Sequence, residues 1–413
     1  MKRLIVVLML AAASLITGMA TGFDLMLRLF YLILFILGGS YLWMWLSLRR
    51  LEVTATRPDA RAEVGDAIEE RIMVQSSSPL SKSFIEIVDQ SDMPGHHTGK
   101  AISLGPRGYH SWKVTTRCKR RGLFTIGPLV AVGKDPFGIF KQKKTYAGYQ
   151  NIIVYPKTYD IPKFGIPAAE LSGDVALRQR VNYVTPHASS VREYTTSDSM
   201  GRIHWPSSAR LNKLMVKEFD HGQSSNVWIF LDLFKYVQAG DGENSTDEYA
   251  VAIAASVAKR YLERNYPVGM VAYGDKKYEL GAETGRGQLD RIMDFLALSK
   301  ADGEIPLEEA LPMEEGLFSR YGSLVVITPS WHEEWVNALG VLLKRQIRVA
   351  TILIDPASFG SRRTNTPVLD LLAANGVPSF MVRRGDDIPN ALSSPYKPKE
   401  MPEPIREAVG GRL

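Results

Sequence analysis

Between Ser190 and Phe219 the chain reads SVREYTTSDSMGRIHWPSSARLNKLMVKEF, mixing charged, aromatic and small residues without helical or strand periodicity. Glu193, Asp198 and His204 are groups that can give or take a proton, and Arg192, Arg202 and Arg210 are groups that bind anions. Together they would suit an enzyme acting on an anionic substrate. The same residues also suit an ion-pair and stacking network, with the arginines on Glu193 and Asp198, and Tyr194 and Trp205 packed against the domain that follows. The network is the favoured reading, because opposite charges alternate here and neither a nucleophile nor a metal cluster accompanies them. On that reading the segment is a joint between two domains, and its loss would cost docking geometry more than a chemical step.

Other chemistry is thinly represented. The chain has no P-loop, and Gly281, Gly285 and Gly287 read as a turn before a helix better than as a phosphate cradle. His332-Glu333-Glu334 lacks the second histidine that a helical zinc-protease site needs. His96 and His97 are adjacent, so no regular element puts both on one face, and Pro94, Gly95 and Gly99 around them suggest an exposed loop. Cys118 is the only cysteine, which excludes an intrachain disulfide and removes any need for an oxidising compartment. Arg117, Lys119, Arg120 and Arg121 flank it, but a place in a strand favours inert packing, and the basic run reads as a solvated turn between two strands.

The elements that must position these residues follow a clear order. At 413 residues, with 45% hydrophobic and 23% charged residues, the chain is long enough for two soluble domains plus accessory segments. The net charge of +6 gives no nucleic-acid footprint over this length, and no nucleotide is expected to bind. Residues 1–50 hold two apolar runs, at about 4–20 and 29–48, each long enough to cross a bilayer as a helix. Lys2 and Arg3 before the first run and Arg49 and Arg50 after the second place both ends, and the soluble domains, in the cytoplasm under the positive-inside rule. A cleaved signal peptide at the first run is the rival; the second run would then act as stop-transfer.

Residues 51–157 alternate or run apolar between Gly, Pro and Asp breaks, the pattern of a small antiparallel β-sandwich. Residues 158–225 hold the charged segment. Residues 226–385 alternate strand and helix: strands at Val227–Leu231, Val268–Tyr273, Leu324–Thr328, Val349–Ile354 and Ser379–Val382, with helices between them. Ser245 and Glu248 read as a capping box opening the first of these helices. The order predicts a parallel sheet covered on both faces, an α/β (Rossmann-like) domain. Residues 386–413 are Pro-rich and polar and read as a flexible tail.

Arg192, Glu193, Tyr194, Asp198, then Arg202-Ile203-His204-Trp205, then Ala209-Arg210 and Val216-Lys217-Glu218 resemble the signature of the prokaryotic family called domain of unknown function 58. Asp135-Pro136-Phe137-Gly138-Ile139-Phe140 and Val154-Tyr155-Pro156 fit the same pattern. Ser197, where a Gly usually precedes the Asp, and Pro206, where a basic or polar residue commonly follows the Trp, depart from it. The leading function is a non-enzymatic, membrane-anchored adaptor; the resemblance implies a von Willebrand factor A-like α/β domain and, as the adaptor's partner, an AAA+ ATPase of the MoxR class. Domains of that type often hold a divalent cation through Asp-x-Ser-x-Ser after the first strand. Here Asp232 is kept but Phe234 and Tyr236 stand at the hydroxyl positions, and Pro329 follows the strand Leu324–Thr328, so divalent-cation-dependent ligand binding is the weakest of the three functions and a loop-capping Asp232 the favoured role.

Overall fold

The computed structural model describes residues 2–57, 60–146, 148–166, 188–194, 203–219, 226–318 and 322–396. The chain divides into two compact units, Met1–Pro156 and Lys157–Leu413.

The first unit opens with α1 (Lys2–Thr21) and α2 (Asp24–Leu48). Both are long and apolar enough to cross a membrane. The chain reverses at Gly22, whose φ of +68° lies in the left-handed region that glycine enters without steric cost. The helices approach closely at Gly18, where a Cβ would lie 3.0 Å from Leu27 Cγ. Ser14 Oγ closes the same contact by donating to the Met26 carbonyl at 2.6 Å. Met19 and Phe35 on these helices are 75% and 79% exposed among the described residues. The second helix starts earlier than the apolar run, so that Asp24 and Arg28 lie inside α2. Asp24 is favourable there, because a carboxylate in a helix's first turn meets unpaired N–H groups.

Among the described residues ten strands follow: β1 (Leu51–Thr56), β2 (Arg61–Glu63), β3 (Ala67–Ser76), β4 (Lys82–Asp89), β5 (Lys100–Leu104), β6 (Tyr109–Arg117), β7 (Gly122–Ile126), β8 (Leu129–Lys134), β9 (Lys141–Tyr146) and β10 (Gln150–Tyr155). They form three sheets, ordered β1-β3-β6, β2-β10-β7 and β5-β4-β8-β9. β3 alternates without a break, burying Ile68, Glu70, Ile72, Val74 and Ser76 and exposing the residues between them. Ile72 and Val74 belong to a core with Ile85, Ile87 and Leu129. Ile68 belongs to a second core with Met93, Cys118, Ile126 and Ile152. Glu70 therefore sits on the buried face between the two.

Lys82 joins the strands to the helices. Its side chain is buried and its Nζ donates to the carbonyls of Leu46 at 3.2 Å, Ser47 at 2.9 Å and Arg49. The last turn of a helix leaves carbonyls without intrahelical partners, and an ammonium satisfies them and the helix dipole together.

In the second unit, β11 (Ala188–Glu193) pairs antiparallel with β12 (Met215–Phe219), and the short helix α3 (Trp205–Leu211) lies between them in sequence. The sheet beyond is built from β13 (Val227–Leu231), a small hairpin of β14 (Gly240–Asp241) and β15 (Asn244–Ser245), α4 (Thr246–Glu263), β16 (Val268–Tyr273), β17 (Lys277–Glu283), α5 (Arg286–Leu298), α6 (Leu307–Met313), β18 (Ser323–Thr328), α7 (Glu334–Lys344), β19 (Arg348–Ile354), α8 (Thr366–Ala374), β20 (Ser379–Val382) and α9 (Ile388–Ala391). The large sheet runs β17-β16-β13-β18-β19-β20, parallel except at the β17 edge. β13, β16 and β18 are buried at every position, as expected of strands covered on both faces.

Three expectations change. Gly281 is not in a turn: it lies in β17, which pairs with β16. Ser245 does precede the first residue of α4, but its hydroxyl donates to the Gly242 carbonyl at 3.0 Å and caps no helical N–H. The Ala239 amide instead donates to Thr246 Oγ1 at 2.9 Å. The stretch after Asp386 is folded as far as the described residues go: Leu392 is fully buried, the Tyr396 amide donates to the Ser379 carbonyl at 2.7 Å, and Tyr396 Oη donates to Asp370 at 3.0 Å. Residues 397–413 of the expected tail lie outside the described residues. At the other end of the unit, Ile161, Phe164 and Ile166 are buried, with Phe164 against Tyr261 and Phe380.

Candidate functional site

Strand order reverses direction between β13 and β18, and open α/β sheets bind ligands at the carboxyl ends of strands flanking such a switch. The residues there are Asp232, directly after β13, and Thr328, the last residue of β18. Asp232 Oδ2 accepts from Thr328 Oγ1 at 2.6 Å, and Oδ1 accepts from the Phe234 amide at 3.0 Å. Thr328 Oγ1 in turn accepts from the Ser330 amide at 2.8 Å, and Ser330 Oγ accepts from the His332 amide at 3.3 Å. His332 Nδ1 lies 3.8 Å from Glu308. Burial pushes the Asp232 carboxyl up to about 6, although the Thr328 hydroxyl and the Phe234 amide pull it back.

These residues do not fit a hard divalent cation. Such an ion needs several oxygen ligands, and both Asp232 oxygens are already engaged. Phe234 and Tyr236 pack edge to face, with centroids 5.3 Å apart, where hydroxyls would have to stand. Thr328 is fully buried and serves as a strut between two strands. The neighbouring strand ends are committed as well: Asp355 accepts from the Ala357 amide at 3.2 Å, and Asp275 from Tyr278 Oη at 2.8 Å.

The signature segment is brought together only in part. Arg192 and Glu193 end β11, opposite Val216 and Met215 of β12, and Lys217 and Glu218 continue β12 opposite Val191 and Ser190. Glu193 lies 3.3 Å from Lys213, an ion pair in which both side chains are 65% exposed. Ile203 is buried and bridges Val216. His204 precedes α3, with its Nδ1 2.7 Å from Ser207 Oγ, and its amide donates to the Met215 carbonyl at 2.8 Å. Tyr194 is half-buried, and Ala209 and Arg210 are exposed. Asp198 and Arg202 lie outside the described residues. Trp205 corrects the sequence reading. It is expected to pack against the α/β domain but is 65% exposed, and Leu211 at 54% and Leu214 at 45% are exposed as well.

Residues 190–359 match the family model described as "Protein of unknown function DUF58". The match supports the DUF58 family. It runs from Ser190 in β11 to Phe359, just beyond β19, and so spans both the signature segment and the Asp232–Thr328 crevice. Among curated proteins the chain is similar to the "Uncharacterized protein YeaD" of Bacillus subtilis (strain 168), 26% identical over 168 residues, which are 40% of this chain and 39% of that protein. The chain thus spans about two-fifths of that relative's length. Among solved structures it is similar to the CARDB domain of a Pyrococcus furiosus protein (14% identity, 25% of this chain, 94% of that chain, TM-score 0.20) and to the pilus adhesin SpaC of Lactobacillus rhamnosus GG (7% identity, 42% of this chain, 29% of that chain, TM-score 0.32). At those scores neither likeness carries an argument.

Outside the DUF58 match, two sequence readings resolve differently. Cys118 is 1% exposed, and burial followed by the Asp66 charge raises its thiol to about 11, which makes it inert despite its cationic neighbours. His96, expected with His97 in an exposed loop, is instead buried, while His97 is exposed. The sequence did carry one signal for the surroundings of His96: a carboxylate, Glu70, at a core position of the period-two strand Ile68-x-Glu70-x-Ile72-x-Val74.

Proposed function

We propose that the chain is a non-enzymatic, membrane-anchored adaptor of the DUF58 family, its α/β unit a von Willebrand factor A-like domain that docks an AAA+ ATPase of the MoxR class. The observation that carries this reading is the exposure of Trp205, Leu211 and Leu214 on and just after α3, inside the family-matched segment and on the short helix that also carries the exposed cation Arg210. Large exposed apolar side chains grouped with a charge suit a partner surface, and Trp and Arg are the residue types that dominate such contacts. The anchor is the α1–α2 pair. Lys2, Arg3, Arg49 and Arg50 orient it with the soluble units in the cytoplasm.

The test is affinity capture from detergent-solubilised membranes. The full chain is expected to recover a MoxR-class ATPase, and Trp205→Ala with Arg210→Glu to lose it while keeping a native melting profile. A folded preparation that captures no such ATPase defeats the partner assignment. A periplasmic signal from a C-terminal topology reporter defeats the orientation.

A further inference from the structure

Glu70, Asp89 and His96 converge in the first unit from β3, the end of β4 and the loop before β5. His96 Nε2 lies 3.0 Å from Asp89 Oδ2 and 3.4 Å from Glu70 Oε2. The three ligand-type atoms all lie within 4.8 Å of one another. All three side chains are at least 98% buried. One N–H on Nε2 cannot point well at both carboxylates, and Glu70 Oε2 is left without a hydrogen bond in a place that water does not reach.

We propose that Glu70, Asp89 and His96 form a binding site for a zinc-class divalent transition-metal ion, with His96 Nε2, Asp89 Oδ2 and Glu70 Oε2 as its protein ligands. A tetrahedral ion with bonds of about 2.0–2.2 Å sets its ligands roughly 3.3–3.6 Å apart. The Nε2–Oε2 distance of 3.4 Å is already at that spacing, and the Nε2–Oδ2 distance of 3.0 Å needs only a small opening. One imidazole with two carboxylates is a ligand set for zinc and its neighbours in the first transition row, and no thiolate takes part.

The outer atoms are held as a metal site requires. His96 Nδ1 is 2.7 Å from Thr116 Oγ1, which fixes the ring and lets the Nε2 lone pair face the carboxylates. Glu70 Oε1 accepts from Arg57 Nε at 2.8 Å, and Asp89 Oδ1 accepts from the Gly127 amide at 2.9 Å. Each carboxylate therefore has one oxygen tied back and one turned inward. The bound ion would clamp β3, β4 and the loop carrying His96 at the boundary between the two apolar cores.

The test uses the tag-free full chain in detergent, stripped with EDTA and dialysed against zinc chloride, then analysed for metal content and by X-ray absorption. The expected result is one zinc per chain, with a shell of one imidazole and oxygen ligands at about 2.0–2.2 Å. Cobalt in its place should give visible d–d bands without sulfur charge transfer. Asp89→Asn and His96→Gln should abolish uptake, His97→Gln should leave it unchanged, and Thr116→Val should weaken it by about 10- to 100-fold. Wild-type chain that retains no zinc overturns the proposal, and so does retention that is equal in the Asp89 and His96 variants. If those variants fail to fold, the wild-type absorption spectrum decides: a shell containing sulfur or more than one imidazole places the ion elsewhere and overturns the site.

Discussion

Thr328 Oγ1 donates to Asp232 Oδ2 at 2.6 Å, and through that one bond the carboxyl ends of β18 and β13 are tied together at the reversal point of the sheet. The carboxyl group is buried and sits high, at about 6 against an ordinary value of 3.8. Between those values the folded chain holds a proton that the unfolded chain has lost. The stabilisation linked to this proton is therefore complete below about pH 3.8 and disappears as pH rises through about 6, on the order of 3 kcal/mol in all. Thermal unfolding between pH 3.5 and 7.5 should show this downward slope in the wild-type chain, and Asp232→Asn should flatten it. An unchanged slope in that variant would assign the effect to another group.

Ile203 and Trp205 are two residues apart and should behave oppositely. Ile203 is 6% exposed against Val216, and its truncation to alanine should cost about 2–5 kcal/mol in the packing of the β11–β12 pair. Trp205 is 65% exposed, and alanine there should change stability by no more than about 0.5 kcal/mol. Hydrogen exchange of the β12 amides separates the two: faster for Ile203→Ala, unchanged for Trp205→Ala. Equal effects would mean that Trp205 is packed.

Lys82 supplies donors to the last carbonyls of α2, so Lys82→Met should leave those carbonyls without their partner and fray the turn before Arg49. Losing a buried partner of this kind costs about 1–3 kcal/mol. Limited trypsin digestion reads it directly as faster cleavage after Arg49 and Arg50. Unchanged cleavage would show that the helix end needs no such cap.

Cys118, raised to about 11, should be close to unreactive in the native chain. At pH 8 the thiolate fraction is on the order of one in a thousand, and burial slows access further. A thiol reagent such as DTNB should label it at least roughly a hundredfold faster in guanidinium than in native buffer. Comparable native labelling would mean that the β7 region opens readily.

Much of the architecture is visible in local pattern. The apolar runs of Val227–Leu231, Val268–Tyr273 and Ser379–Val382 recur as strands with those same limits, because burial on both faces leaves a short unbroken apolar run that is bounded by turn residues. The two N-terminal helices follow from length and polarity alone. The signature residues were also recognisable as a set, since their types and order are written in one short segment.

Tertiary structure decided which of these residues are exposed and which distant ones meet. Trp205 is turned out to solvent and His96 turned in: Trp205 opens a helix of only seven residues, too short to show a period from which to read a face, and His96 lies in a loop. Asp232 meets Thr328, 96 positions away, only because β13 and β18 are neighbours, and strand order is not a local property. Glu70 could be seen as a charge on a core face, but its partners Asp89 and His96 come from other elements and are brought to it only by the packing of the sheets. Sequence by itself determined the two apolar helices and the buried parallel strands, which depend on neighbours along the chain. The sites depend on contacts across the chain, and only the folded structure supplies them.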